Sequence, residues 1–419
     1  MFSNRITIIE EHNATLQILP TTVKDVVSWY ASFYTFPSVA NEDFLLQDMA
    51  VAMLDKGTKR QDKFAIAEKL ESRGAQLRFY SDGLRVGFFG RSLREDLPVM
   101  FEVLTEQLYE PLFDPEEFEK VRLNAIAGRQ RALTNTRARA EVTLHKALYA
   151  PSHPNYLDDA ETEIKQLQNV SLADIKQYHQ THFGAREVIL SAAGDTTPDE
   201  MHHLYRHHLG DWHTHHQHSD FEELGKPQAA GRSVSEIADR QNLDVYFAQT
   251  LPFGLQHPDY LPMYVGTYIL GGNFSARLMQ TVRDEQGLTY GIGSGLAGMT
   301  QEYAGHWQTN VTLSQENLEK GIEATQEQIN KFVAEGITEA ELEEKKTTLT
   351  GKYKVELATT AGLARTMQMN AEEGFNASWM DEYPESIQAL TAQQINDVVQ
   401  NHLHPDQLHI AIAGTMPGE

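Results

Sequence analysis

The chain of 419 residues has no cysteine, which excludes disulfides, thiol nucleophiles and metal sites built on thiolates. Basic side chains are scarce, 35 against 59 acidic ones, giving a formal net charge of −24. A surface with that balance repels a phosphate backbone, so the charge argues against nucleic acid as a partner. No apolar run approaches the roughly 18 residues needed to cross a bilayer, and no transmembrane segment is expected. The opening MFSNRITIIEEHN lacks the long apolar stretch of a secretory signal, which favours a cytoplasmic over a periplasmic location. What remains is an ordinary globular composition, 41% hydrophobic and 22% charged, with one biased segment rich in histidine. The length suits two domains of about 200 residues each.

An internal repeat organises the chain. SLADIKQYHQTHFGAREVILSAAGD (171–195) reads as a serine cap, an amphipathic helix, a short break and an apolar strand ending in glycine, and LTAQQINDVVQNHLHPDQLHIAIAGT (390–415) repeats that order. Gly194 and Gly414 stand 220 residues apart, as do Ile175 and Ile395. FDPEEFEKV and ITEAELEEK are two acidic helix openings in which Phe118 and Leu342 are offset by 224, and a weaker pair, ESRGAQLRFYSDG and RDEQGLTYGIGSG, is offset by 213. Offsets this close, in constant order, predict a duplicated domain. The fold class expected is α+β, two homologous domains, each a mostly antiparallel sheet with helices packed on one face. The first spans 1–215 and the second 230–419, joined near 215–235 where polar residues, Gly and Pro replace apolar periodicity.

The biased segment is HHLYRHHLGDWHTHHQH (202–218), eight histidines in seventeen positions out of eighteen in the chain. Its first part fits a helix with an acidic first turn and Gly210 at the close, which puts His203 and His207 on one face. Two imidazoles at that spacing hold a transition metal weakly, whereas a catalytic zinc needs a third ligand and a positioned base. The run is read as a solvated helix end and linker with adventitious metal uptake, in preference to a stand-alone metal binder using His202 to His218.

DFLLQDMAVAMLDKGTKR (43–60) has the apolar spacing of a buried helix that stops at Lys56-Gly57-Thr58, followed by a second helix closed by Gly74 and the hairpin-like AQLRFYSDGLRVGFFGRSL. Together with SLREDLPVMFEVLTEQLYEPLFDPEEFEKVR, LYAPSHPNY, the AGD at 193–195 and, most specifically, GGNFSARLMQTVRDEQGLTYGIGS, this resembles the pitrilysin/insulinase family of metallopeptidases, the inverted zincins. The resemblance runs through nearly the whole chain. It implies two homologous α+β domains, paired with a second chain around a peptide chamber.

In that family H-x-x-E-H precedes the Lys-Gly-Thr: two imidazoles grip zinc and the carboxylate takes a proton from the bound water. In this register the motif positions are Asp48, Val51 and Ala52. A valine and an alanine do neither job. The family's third ligand, a glutamate, comes from the helix that begins here near Pro115, but residues 122–140 hold five arginines and no acid. No H-E-x-x-H or H-x-x-E-H occurs elsewhere, so no cofactor is expected in this chain; zinc is expected on a partner subunit. The arginines are read first as helix-surface charges paired with carboxylates and second as a partner- or peptide-binding patch.

In related two-subunit peptidases one chain carries the zinc motif and the other an Arg and a Tyr in its C-terminal domain. The resemblance carries those roles to Arg283 and Tyr290, assisting catalysis in trans: a guanidinium fork and a phenol can hydrogen-bond a substrate carbonyl and the developing oxyanion. From the residues alone, Arg283 pairs with Asp284 or Glu285 and Tyr290 fills a strand face. GIGSG is a poor phosphate loop because no helix follows it. The glycines of GGNFSARL are read as close helix–sheet packing, and AQLRFYS as a scaffold edge first and a peptide dock second.

The sequence therefore predicts an insulinase-family, non-catalytic subunit of a heterodimeric zinc metalloendopeptidase, inactive alone and active in proteolysis with a homologous zinc-bearing peptidase subunit on a peptide substrate. The alternative is a catalytically uninvolved peptide-binding or assembly scaffold of the same superfamily. The isolated chain is also free to pair with itself as a homodimer.

Overall fold

The computed structural model describes residues 1–35, 41–184, 186–212 and 230–417; most of the expected join lies outside them. The first half contributes β1 (Thr7–Glu11), β2 (Ala14–Pro20), β3 (Val26–Tyr34), α1 (Asn41–Met53), α2 (Lys63–Glu71), β4 (Gln76–Asp82), β5 (Arg85–Leu93), α3 (Leu97–Tyr109), α4 (Pro115–Ala132), α5 (Thr136–Leu148), α6 (Ala160–Asn169), α7 (Leu172–His182), β6 (Val188–Gly194) and α8 (Pro198–His208). The second half contributes β7 (Gly231–Glu236), β8 (Asn242–Thr250), α9 (Tyr260–Gly271), a π-helical turn (Met279–Glu285), β9 (Thr289–Ala297) and β10 (His306–Ser314). After them come α10 (Leu318–Glu335), α11 (Glu339–Glu356), α12 (Thr360–Glu372), α13 (Trp379–Ala389), α14 (Ala392–His402) and β11 (His409–Gly414). No helix among the described residues is long and apolar enough to cross a membrane.

The α+β class holds, and the repeat is visible strand by strand. One sheet runs β1-β2-β6-β3-β5-β4 and the other β7-β11-β8-β10-β9. In each, one parallel pair (β2 with β6, β7 with β11) sits among antiparallel neighbours. Local chemistry repeats too. Ser171 and Asp174 form a capping box at the start of α7, and Thr391 and Gln394 form the same box at α14, each satisfying two backbone donors that a helix start leaves free. Gly194 and Gly414 end their strands at φ 141° and 146°. A Cβ at Gly194 would lie 2.2 Å from the Val26 carbonyl oxygen, so only glycine closes that strand. Helix α1 ends earlier than its sequence pattern, at Met53, and Gly57 turns the chain beyond it with φ 113°.

Two compact units emerge, and each draws on both halves of the sequence. One takes in Met1–Gly128, Glu163–Glu222 and Tyr353–Glu382; the other Arg129–Thr162, Glu223–Lys352 and Tyr383–Glu419. The stretches 1–215 and 230–419 read from the repeat are homologous lengths of chain, but helices cross between them when the units form. The reason lies in the central strands, which are buried on both faces. In the first unit Val27, Trp29, Ala31 and Phe33 of β3 enter a core with α1, α3 and α7. The opposite face, with Leu19 and Ala193, is covered by Leu363, Ala364 and Met367 of α12, a helix of the second half. Ser28 and Thr360 share a hydrogen bond of 2.9 Å there, and the Gln368 amide donates to Ser32 Oγ at 3.1 Å and to the Ile189 carbonyl at 3.2 Å.

The second unit solves the same problem with α5. Leu243, Val245 and Phe247 of β8 face one core, while Tyr246, Ala248, Ala411 and Ala413 pack under Ala140, Leu144 and Leu148. Burying each such leucine is worth about 1.5–3 kcal/mol. Thr136 at the start of α5 donates to the Asp244 carboxylate at 2.6 Å. Beyond the helix lies a knot of buried imidazoles. His306 is fully buried, and its Nε2–H meets the Gln308 side-chain oxygen at 3.1 Å, which leaves Nδ1 to accept from the Tyr149 hydroxyl at 2.7 Å. His145 bonds the Asn155 carbonyl through Nδ1, and His153 stacks on Tyr149 with ring centroids 4.4 Å apart.

Two outcomes follow from this architecture. Expressed separately, 1–215 lacks α12 and 230–419 lacks α5, so neither yields a soluble, cooperatively melting product by calorimetry, whereas co-expression of the two restores it. Acid acts through the imidazole knot. Burial, with His145 nearby, pushes His306 down to about 3 and His153 down to about 4. Unfolded histidines take up protons below about pH 6.5 while the folded ones stay neutral, so the stability they contribute is complete above that pH and is lost as pH falls toward their folded values. Between pH 6.5 and 5 the loss is of the order of 2 kcal/mol per histidine. A His306→Gln variant shows a shallower pH slope of its melting temperature than the parent.

Candidate functional site

The position that the family resemblance assigns to zinc lies on α1, and its residues do not fit a metal. Asp48 is exposed, Val51 is 8% exposed and packs in the apolar core with Met49, Ala50 and Leu54, and Ala52 offers a methyl group. The neighbouring Gln47 is fully buried and saturated. Its amide donates to Ser81 Oγ at 2.7 Å and to the Gly83 carbonyl at 2.7 Å, while its oxygen accepts from Thr35 and from the Tyr178 hydroxyl. Sequence reading missed Gln47, because nothing in a helical pattern says that one glutamine among apolar residues will find four partners. The helix is thus fixed to the β4–β5 hairpin by neutral hydrogen bonds.

On α4, where a third ligand would stand, the charges satisfy one another. Glu119 pairs with Arg122 at 2.6 Å, and Glu117 holds both Lys120 at 2.7 Å and Lys63 at 2.8 Å, contacts that push its carboxyl down to about 2. Arg139 makes a two-pronged contact with Glu161 at 2.8 Å and reaches Ser235. For Arg122 and Arg139, pairing with carboxylates is what the structure shows.

Helix α8 carries the described part of the histidine run; residues 213–218 lie outside the described chain. His202 is engaged by Glu11, whose carboxyl that hydrogen bond holds below its usual value, and His208 Nδ1 lies 3.2 Å from Thr105 Oγ1. His203 and His207 stack with parallel rings, centroids 6.1 Å apart. Among the described residues no group of three or more His, Asp or Glu is placed to hold a metal ion.

The second unit keeps its candidates on the surface. Arg283 lies in the last turn of the π-helical segment, its Nη1 3.8 Å from the Asp284 carboxylate, an ion pair too long for a hydrogen bond. Tyr290 sits near the start of β9, 96% exposed, and fills no strand face. The structure adds Phe274, 77% exposed, with the Arg283 guanidinium carbon 5.6 Å from its ring centroid. Sequence reading missed it by treating GGNFSARL as packing glycines. The glycines do pack: a Cβ on Gly271 would come within 2.4 Å of the Ser294 backbone nitrogen on β9. β9 is followed by β10 rather than a helix, so GIGSG cradles no phosphate. β4, in the AQLRFYS stretch, lies at the edge of its sheet and, among the described residues, pairs only with β5.

This arrangement is that of a two-unit α+β protein with no metal-binding residues at two of the motif positions in one unit and, in the other, a half-buried Arg283 and an exposed Tyr290. Family models agree: residues 49–156 match the insulinase (peptidase family M16) domain and residues 169–349 match the peptidase M16 inactive domain. The chain belongs to the M16 family. Among relatives, it is 23% identical over 380 residues to a non-peptidase homolog, YmxG, of Helicobacter pylori, covering 88% of this chain and 84% of that one. It is 24% identical over 237 residues to human mitochondrial-processing peptidase subunit beta, covering 54% of this chain and 48% of that one. A crystal structure described as a peptidase M16 inactive domain from Pseudomonas fluorescens has the same fold, with a TM-score of 0.89, 22% identity, and coverage of 99% and 98%.

Metal content is directly measurable. Elemental analysis of the untagged chain should find zinc only in substoichiometric amounts that dialysis removes, and His203→Ala with His207→Ala should lower that uptake further. One zinc per chain surviving dialysis would contradict this description.

Proposed function

We propose that the chain is the non-catalytic subunit of a heterodimeric zinc metalloendopeptidase, forming part of the peptide chamber and contacting the substrate through Arg283 and Tyr290. The observation that carries this reading is an asymmetry within one chain. Hydrocarbon stands at the base and second-imidazole positions on α1 and leaves Asp48 as a lone carboxylate, yet the second unit keeps a guanidinium and a phenol, the latter 96% exposed. A phenol left in water by its own fold is available to another molecule. Zinc on the partner would supply the activated water. The residues of this chain would hold the substrate: the Arg283 fork on a peptide carbonyl and the Tyr290 hydroxyl toward the oxygen that gains charge. One relative is by name a peptidase subunit, which fits such a division of labour. The net charge of −24 favours basic peptides.

A second reading, a peptide-binding or assembly scaffold with no part in catalysis, draws support from the relative named a non-peptidase homolog. Reconstitution with a homologue that carries an intact H-x-x-E-H separates the two. Under the proposed function Tyr290→Phe lowers kcat about 100-fold, equivalent to about 3 kcal/mol of transition-state stabilisation, and Arg283→Ala lowers kcat/KM at least as much. Neither changes the melting temperature. Unchanged turnover in an intact assembly establishes the scaffold instead.

A further inference from the structure

An aromatic side chain in water is commonplace; one held there by a dedicated scaffold is not. The segment bearing Phe274 is bound to α11 by a set of polar contacts. Lys345, whose side chain is 2% exposed, donates to Ser275 Oγ at 2.6 Å, to the Ser275 carbonyl at 3.1 Å and to Glu344 at 2.7 Å. Ser275 Oγ also lies 3.1 Å from the Glu344 carboxylate. Arg277 grips Glu341 with distances of 2.9 Å to both oxygens and donates to the Gly336 carbonyl at 3.0 Å. On the other side Asn273 donates to the Tyr268 hydroxyl, which Lys352 engages at 2.7 Å. Removing an ammonium from water is costly unless it is fully bonded, and here every hydrogen of Lys345 has an acceptor within reach. Phe274 is therefore exposed on a rigid mount, with the Arg283 guanidinium beside its ring.

We propose that Phe274 is a specificity-determining contact of the Arg283–Tyr290 site, receiving an aromatic or branched aliphatic side chain of the bound peptide. This rests on the peptide reading above and adds the chemistry of the side chain selected. A preorganised ring loses little freedom when a second apolar group stacks on it. The adjacent guanidinium bonds the peptide backbone, so the pair reads one apolar side chain and one carbonyl together.

The test uses the full chain and two fluorescein-labelled, unstructured peptides of Gly, Ser and Arg that differ only in one central residue, Phe or Ala, with binding followed by anisotropy. The Phe peptide should bind about tenfold tighter than the Ala peptide. Phe274→Ala should abolish that difference while leaving the Ala-peptide affinity and the melting temperature unchanged, and Phe274→Tyr should retain it. Arg283→Ala should weaken both peptides. Equal affinities for the two peptides in the parent, or a preference that survives Phe274→Ala, overturns the assignment of Phe274 and leaves the peptide reading standing. No binding of either peptide overturns both.

Discussion

A sheet whose middle strands carry large side chains on both faces has to be covered twice, and the structure of this protein follows from that requirement. β3 puts Trp29 and Phe33 on one side and Tyr30 and Tyr34 on the other; β8 does the same with Phe247 and Tyr246. The helices adjacent in sequence cover one face. The second cover comes from the other half of the chain, α12 over the first sheet and α5 over the second. Duplication alone would give two independent folds; reciprocal exchange makes each unit depend on both copies. That dependence also explains the polar seams beneath the exchanged helices, Ser28 to Thr360 and Thr136 to Asp244, which orient a helix where apolar contacts alone would let it slide.

With the scaffold fixed, the two copies have diverged in chemistry. In the first, α1 is locked by Gln47 and lined with Val51 and Ala52, side chains that can neither ligate a cation nor take a proton. In the second, buried polar groups are spent on a loop. Lys345 and Glu344 hold Ser275 so that the aromatic side chain next to it stands in solvent, close to Arg283. The same family fold thus carries hydrocarbon at two motif positions of one unit and a solvent-exposed aromatic beside a guanidinium in the other.

Much of this was legible in the sequence, for identifiable reasons. Gly194 and Gly414 marked equivalent strand ends because no other residue tolerates φ near 140° so close to neighbouring backbone, and the Ser171 and Thr391 caps announced equivalent helices. Gly74 and Gly287, the anchor of the weakest repeat match, both adopt left-handed backbone with φ 61° and 64° just before the edge strands β4 and β9. Hydrophobic period shows that Ala140, Leu144 and Leu148 form a buried stripe, but it says nothing about which sheet they cover, so the helix exchange was invisible. Phe274 was hidden for a related reason: an apolar residue beside two glycines reads as packing, and only its surroundings show that Lys345 holds the segment in a fixed place. Arg283 does pair with Asp284, the simpler reading from spacing, but at 3.8 Å the contact is a long ion pair without a hydrogen bond.

The most direct measurement is turnover of unstructured peptides by the purified chain alone with zinc supplied in excess. Because no side chain at Val51 or Ala52 can hold the ion or activate its water, cleavage should stay at the level of the buffer control, with and without a chelator. Chelator-sensitive hydrolysis that copurifies with this chain and is lost on substituting residues of α1 would contradict the account.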